Sequence, residues 1–151
     1  MTCEIRPASE ADAEAISGVI LAALRESNAR DYSPDIIARV AESFSPAGVR
    51  RLLSNRTVLV AIDAGILVGT ASLDGDVVRT VFVSPSAQRR GTGASLMAAI
   101  ERAAQASGIA VLSVPSSITA QGFYERLGFN AVGESFHGDE RTIVMERSLM
   151  P

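Results

Sequence analysis

Residues 83–97 read VSPSAQRRGTGASLM, and their types suit one kind of chemistry: holding an anion. A helix N-terminus presents unpaired backbone N–H groups and about half a positive elementary charge, so anions bind there. Gly91 and Gly93 lack a Cβ, which would let a bulky phosphate approach the main chain at either position. Gln88, Arg89 and Arg90 can add side-chain donors at the rim. The pattern fits a diphosphate with a long organic tail running along the preceding strand. Two familiar phosphate loops do not fit. A Walker A loop needs lysine followed by Ser or Thr after its second glycine, where this chain has Ala94-Ser95. A dinucleotide fingerprint needs a third glycine where Leu96 stands, and an acid about twenty residues on that is missing. From the turn alone, a second reading stays open: the glycines simply tighten a strand-to-helix connection.

Other chemistries find less support. The chain has one cysteine, Cys3, and one histidine, His137, far apart, so a structural zinc and an intramolecular disulfide are both excluded. The formal charge of −3 and the isolation of the pairs Arg50-Arg51 and Arg89-Arg90 argue against nucleic acid, whose binding draws on a basic stripe. No run approaches the ~18 apolar residues of a membrane span. MTCEIRPASE has no basic segment leading into an apolar one, so no secretory leader and a cytoplasmic location are the expectation. At 151 residues with 47% hydrophobic side chains, one domain with a real core is expected over 1–151.

The elements that must position the turn can be read from periodicity. Cys3 to Arg6 suits a short strand, and S-E-A-D from Ser9 a helix cap. Ile16, Val19, Ile20, Ala23 and Leu24 recur at helical spacing behind it. Helices are expected over Pro34 to Glu42 and from Ser45-Pro46 to Leu53. Thr57 to Ile62, Ile66 to Leu73 and Val77 to Val83 read as a three-strand meander with turns at Asp63-Ala64-Gly65 and Asp74-Gly75-Asp76. A helix then spans Gly91 to Ser107, a strand Ile109 to Val114, and a helix Thr119 to Leu127. Phe129 to Phe136 and Arg141 to Arg147 are the final strands. The strand–helix–strand unit around the glycine turn makes its two strands parallel, so the sheet is mixed and the class α+β.

A second segment, SSITAQGFYERLGF over 116–129, adds to the glycine turn. Together they resemble the GNAT superfamily of N-acetyltransferases, whose acyl-CoA loop follows Q/R-x-x-G-x-G/A. Gln88, Arg89, Arg90, Gly91, Thr92 and Gly93 match that loop; Ala120, Phe123, Tyr124, Leu127, Gly128 and Phe129 match A-x-x-F-Y-x-x-L-G-F. The likeness covers roughly residues 57 to 147, the first 55 matching in layout only.

The resemblance implies a central mixed twisted sheet of about seven strands, helices on both faces, and a splayed parallel pair that admits the pantetheine arm of acetyl-CoA. Backbone groups of Phe82 and Val83, or Val81 and Val83, would bond the pantetheine amides. Those from Arg89 through Thr92 and Gly93 to Ala94, with Ser95 adjoining, would hold the diphosphate. Tyr124 would return a proton to the leaving thiolate, unless it serves, like Phe123, as a core aromatic. Ser117 stands where many relatives carry a cofactor-binding asparagine. The glutamate that many carry before the loop has no counterpart in Val77-Val78-Arg79-Thr80. Asp74, Asp76, His137 or water are the remaining candidates for general base.

The implied reaction is direct acetyl transfer to a primary amine of a small-molecule or peptide acceptor, in a monomer or homodimer. Glu26, Asn28, Asp31, Tyr32, Asp35, Glu134, Asp139 and Glu140 fall in the regions that set the acceptor. The acids there could attract a cationic amine, although a charged surface face is the commoner explanation. Two alternatives are a non-catalytic acyl-CoA sensor and an acetylating toxin acting on charged tRNA; the acidic balance argues against the latter.

Overall fold

Seven strands form one sheet in the order β1-β2-β3-β4-β5-β7-β6. The structure, a computed structural model, describes residues 3–88 and 90–149 and, at His137, the main chain only. The strands are β1 (Glu4–Pro7), β2 (Thr57–Asp63), β3 (Ile66–Asp74), β4 (Val77–Val83), β5 (Val111–Ser116), β6 (Asn130–His137) and β7 (Glu140–Ser148). The helices are α1 (Ala13–Glu26), α2 (Pro34–Ala41), α3 (Pro46–Asn55), α4 (Thr92–Ala106) and α5 (Gln121–Arg126).

Local chemistry explains most of the boundaries. The side chain of Ser9 and that of Asp12 form the reciprocal capping box anticipated from S-E-A-D, although a short 3-10 turn at Glu10–Asp12 precedes α1. Asp12 also takes two hydrogen bonds from Arg6, at 2.9 and 3.0 Å, and one from the Ser9 N–H at 2.8 Å. The helices α2 and α3 each begin with Pro behind a serine whose hydroxyl accepts an N–H of the first turn. Strand β5 begins two residues later than periodicity suggests, because Ile109 donates its N–H to Ala104 O and closes the end of α4.

Two apolar clusters sandwich the sheet. On one face Ile16, Ile20 and Leu24 of α1 meet Ile37, Val49 and Val60; on the other Leu96, Met97 and Ile100 of α4 meet Val78, Leu112, Phe129 and Met145. In β2, Leu59 and Ala61 face one cluster and Val60 the other, the period-two alternation of a strand covered on both sides.

All pairings are antiparallel except β4 with β5. That parallel pair is joined only at Val77 and Ser113, where Ser113 N–H also reaches Asp76 O at 3.0 Å. Beyond this point the two strands part. Opposite β3 the register jumps: Thr70 faces Phe82 and Ser72 faces Arg79, so Thr80 and Val81 together oppose the single residue Ala71. This is a β-bulge, and Thr80 within it has φ +57°, a rare conformation for a β-branched residue.

The Arg6 guanidinium and the Ser9 amide hold the Asp12 carboxyl down at about pH 2, with the Arg6 hydrogen bond the larger cause. A depressed carboxylate contributes stability above its unfolded value near ~3.9, and that contribution is lost as pH falls toward 2. The difference in thermal stability between the wild-type protein and Asp12→Asn is therefore expected to be constant above about pH 5 and to shrink between pH 4 and 2. Melting curves of both proteins across that range check it.

Candidate functional site

The gap between β4 and β5 opens into a cleft of about 1120 Å³. Its walls include Val81, Phe82 and Val83 of β4, Ser113 to Pro115 of β5, and Phe123 and Tyr124 of α5. A strand edge without a partner leaves N–H and C=O groups facing the gap, and a peptide-like ligand can satisfy them.

The mouth of the cleft is the turn into α4. Gly91 is the residue before the helix, at φ +81°, with no side chain bonded across its first turn and nothing within 4 Å of where a Cβ would stand. The two glycines differ in purpose. At Gly93 the space is filled: a Cβ would lie 3.1 Å from the ring of Phe123, so this glycine lets α5 close onto α4. Gln88 lines the cleft, and its amide donates to Val83 O at 3.2 Å and to Ser27 Oγ at 3.0 Å, tying the turn to the end of α1. Arg90, Thr92 and Ser95 face a separate small space beside Cys3 and Asp63, where Arg90 lies 3.7 Å from the Asp63 carboxylate. Ala94 does not line the cleft, whereas Gly93 does. Arg89 lies outside the described residues.

Tyr124 is 4% exposed, with its ring edge-on to Phe123 at 5.1 Å and to Phe129 at 5.6 Å. Its hydroxyl bonds no described residue, yet no buried side-chain polar atom among those residues lacks a partner. Tyr124 is one of the residues that line the cleft. Burial pushes the phenol pKa well above its usual value, so the group stays protonated and remains a donor. Ser117 also lines the cleft and accepts the Ala120 N–H at 3.1 Å, which occupies one of its lone pairs.

The candidate bases fare differently. Asp74 is 3.3 Å from Arg79 and 4.0 Å from Arg56, and neither Asp74 nor Asp76 borders the cleft. The side chain of His137 lies outside the described residues. Of the acceptor-region acids named from sequence, Glu140 alone reaches the cleft, 3.8 Å from Arg39.

Two contributors carry no sequence motif. Tyr32 hydroxyl accepts the Ile118 N–H at 2.7 Å and donates to Arg141 O at 3.0 Å, bridging the segment after α1 to the β5–α5 loop and to β7. Arg56, between α3 and β2, donates to Thr80 Oγ1 at 3.0 Å and Ser72 Oγ at 3.4 Å, bracing the bulge. Neither spacing nor residue type marks them, because their partners lie 86 and 24 positions away.

Replacing Gly91 by Ala forces a left-handed conformation on a residue with a Cβ and is expected to lower stability by about 1 kcal/mol, with Asn costing less. Chemical denaturation of both variants measures it.

The geometry agrees with comparisons to known proteins. The family model described as Acetyltransferase (GNAT) domain matches residues 28–147. An uncharacterized N-acetyltransferase of Escherichia coli strain K12, YafP, is 28% identical over 129 residues, spanning 85% of this chain and 82% of the relative. A GCN5-related N-acetyltransferase from Rhodopseudomonas palustris superposes with a TM-score of 0.92 at 28% identity, covering 98% of this chain and 96% of that one. The PaiA N-acetyltransferase of Thermoplasma acidophilum, solved with coenzyme A, shares the fold at a TM-score of 0.80 and 20% identity, covering 98% and 99%. With its split parallel pair, its uncapped α4 mouth and a family match over most of its length, the chain belongs to the GNAT family of acetyltransferases and is an acetyl-CoA-dependent acyltransferase.

Proposed function

We propose that this chain is a single acetyltransferase domain that moves an acetyl group to a primary amine by direct attack, using Tyr124 as the proton donor. The observation that carries the reading is the parting of β4 from β5 beyond Val77 and Ser113, with Tyr124 among the residues that line the resulting cleft. The residues present suit acetyl-CoA. The free edge of β4 at Val81 and Val83 offers amide partners for a pantetheine arm, Phe82 being paired with Thr70 of β3, and the main chain entering α4 offers N–H groups for a diphosphate. Acetyl-CoA supplies the activated acetyl thioester.

The chain's own groups account for the remaining steps. A β4 backbone N–H near Val83 donates to the carbonyl oxygen as negative charge develops there. The acceptor nitrogen bonds the acetyl carbon, the carbon–sulfur bond breaks, and Tyr124 passes its phenolic proton to the sulfur. The amine gives up its own proton to water or to His137, since Asp74 and Asp76 do not border the cleft. A binding-only role is not favoured, since a protonated phenol at the wall of a ligand cleft has little use in a sensor. No described helix is long and apolar enough to cross a membrane.

Tyr124→Phe keeps both ring contacts and removes only the hydroxyl. Its kcat is expected to fall about 100-fold while acetyl-CoA affinity holds, and unchanged turnover with chemistry rate-limiting would remove Tyr124 from the reaction. Because burial raises the phenol, kcat of the wild-type protein should show no decline from this group below pH ~10. Acetyl-CoA at ~100 times its Kd should stabilise the fold by ~2.7 kcal/mol, read as a thermal shift.

A further inference from the structure

The charges around the cleft run opposite to the acidic impression left by the acceptor-region sequence. Among the described residues its charged lining consists of Arg39, Arg56, Arg79, Arg126 and Glu140. Glu140 sits against Arg39. Asp74, outside the lining, is shared by Arg79 at 3.3 Å and Arg56 at 4.0 Å, so one carboxylate faces two guanidinium groups and a positive charge is left over.

Arg56 is the more informative of that pair. Its side chain is only 18% exposed, and its hydrogen bonds to Thr80 and Ser72 use Nη1. Arg56 lines the cleft, and the two N–H groups on Nη2 bond no described residue. A planar guanidinium with spare donors in a partly desolvated wall is suited to a carboxylate or phosphate oxygen.

The acyl donor's own phosphates do not account for this charge. The diphosphate mouth adjoins the C-terminal end of β4, whereas Thr80, to which Arg56 bonds, lies three residues back from Val83 along the strand, roughly 10 Å. Arg79 is one residue further still. Both arginines therefore lie toward the N-terminal half of β4, away from the diphosphate mouth.

We propose that the acceptor is an amine that also bears an oxyanion, a carboxylate or phosphate, which Arg56 binds with Arg79 beside it. The inference rests on the acetyltransferase reading of the same cleft. It also eases the lack of a carboxylate base on β4, because a neighbouring positive charge favours the neutral, nucleophilic form of a bound amine.

The test compares matched acceptors in thiol release from acetyl-CoA: α-amino acids against their carboxamides, phosphoethanolamine against ethanolamine, and spermidine as a polycation. The expected result is a kcat/KM ~10- to 100-fold higher for the anionic member of at least one pair. Which pair responds separates carboxylate from phosphate. In Arg56→Gln that preference should collapse through KM for the acceptor, with partial rescue in Arg56→Lys, while acetyl-CoA still raises the melting temperature. Equal or better turnover of the neutral and cationic amines overturns the inference and leaves acetyl transfer standing. An anionic preference that survives in folded Arg56→Gln overturns the assignment to Arg56. Since Arg56 also braces the bulge, the matched pairs on the unaltered protein decide the matter if the variants do not fold. Absence of thiol release with every amine overturns both readings together.

Discussion

The structure depends on one incomplete pairing. Strands β4 and β5 meet at Val77 and Ser113 and then separate, although each is firmly bonded on its other edge, β4 to β3 and β5 to β7. Parallel strands in a buried sheet ordinarily zip together, since an unpaired amide is costly away from water. Here the extra residue at the Thr80–Val81 bulge turns the strand and adds twist. The unsatisfied edge becomes a binding surface, so the cleft is a consequence of backbone hydrogen bonding before any side chain contributes.

The bulge is held at a cost. Thr80 adopts a positive φ that a β-branched residue resists, and the surrounding contacts over-determine it. Ser72 Oγ donates to Arg79 O at 2.6 Å, Thr70 Oγ1 donates to Leu59 O at 3.0 Å, and Arg56 clamps Thr80 and Ser72 from the cleft side. Arg56 thus both braces the distortion and adds positive charge to the cleft wall. The stretch from Val77 to Thr80 carries no acid, and the guanidinium groups of Arg79 and Arg56 stand in that region.

Helix α5 and the segment after α1 close the site from opposite sides. Phe123 packs into the notch left by Gly93, which brings Tyr124 to the cleft wall between Phe123 and Phe129. Across from it, Tyr32 and Asp31 bond Ile118 and Thr119 of the β5–α5 loop, at 2.7 and 2.8 Å. The two motifs recognised in the sequence therefore act as a unit: the first glycine shapes the helix entrance, and the second seats the aromatic that positions the phenol.

The local alphabet of the chain was enough for the elements and their order. Hydrophobic period separated helix from strand, serine and proline marked the starts of α1, α2 and α3, and the strand–helix–strand unit required β4 and β5 to be parallel. Short-range spacing also carried the glycine turn and the aromatic motif, because QRRGTG and AQGFYERLGF are each contiguous. The bulge, the reason for Gly93, the bridging of Tyr32 and the placement of Arg56 were decided by tertiary structure alone. Each depends on atoms brought together from distant positions, and such contacts leave no periodic trace in a single sequence. The acids told the same story in reverse: Asp31, Asp35, Glu134 and Asp139 were legible as charges near the acceptor region, but only the folded chain showed that they do not line the cleft.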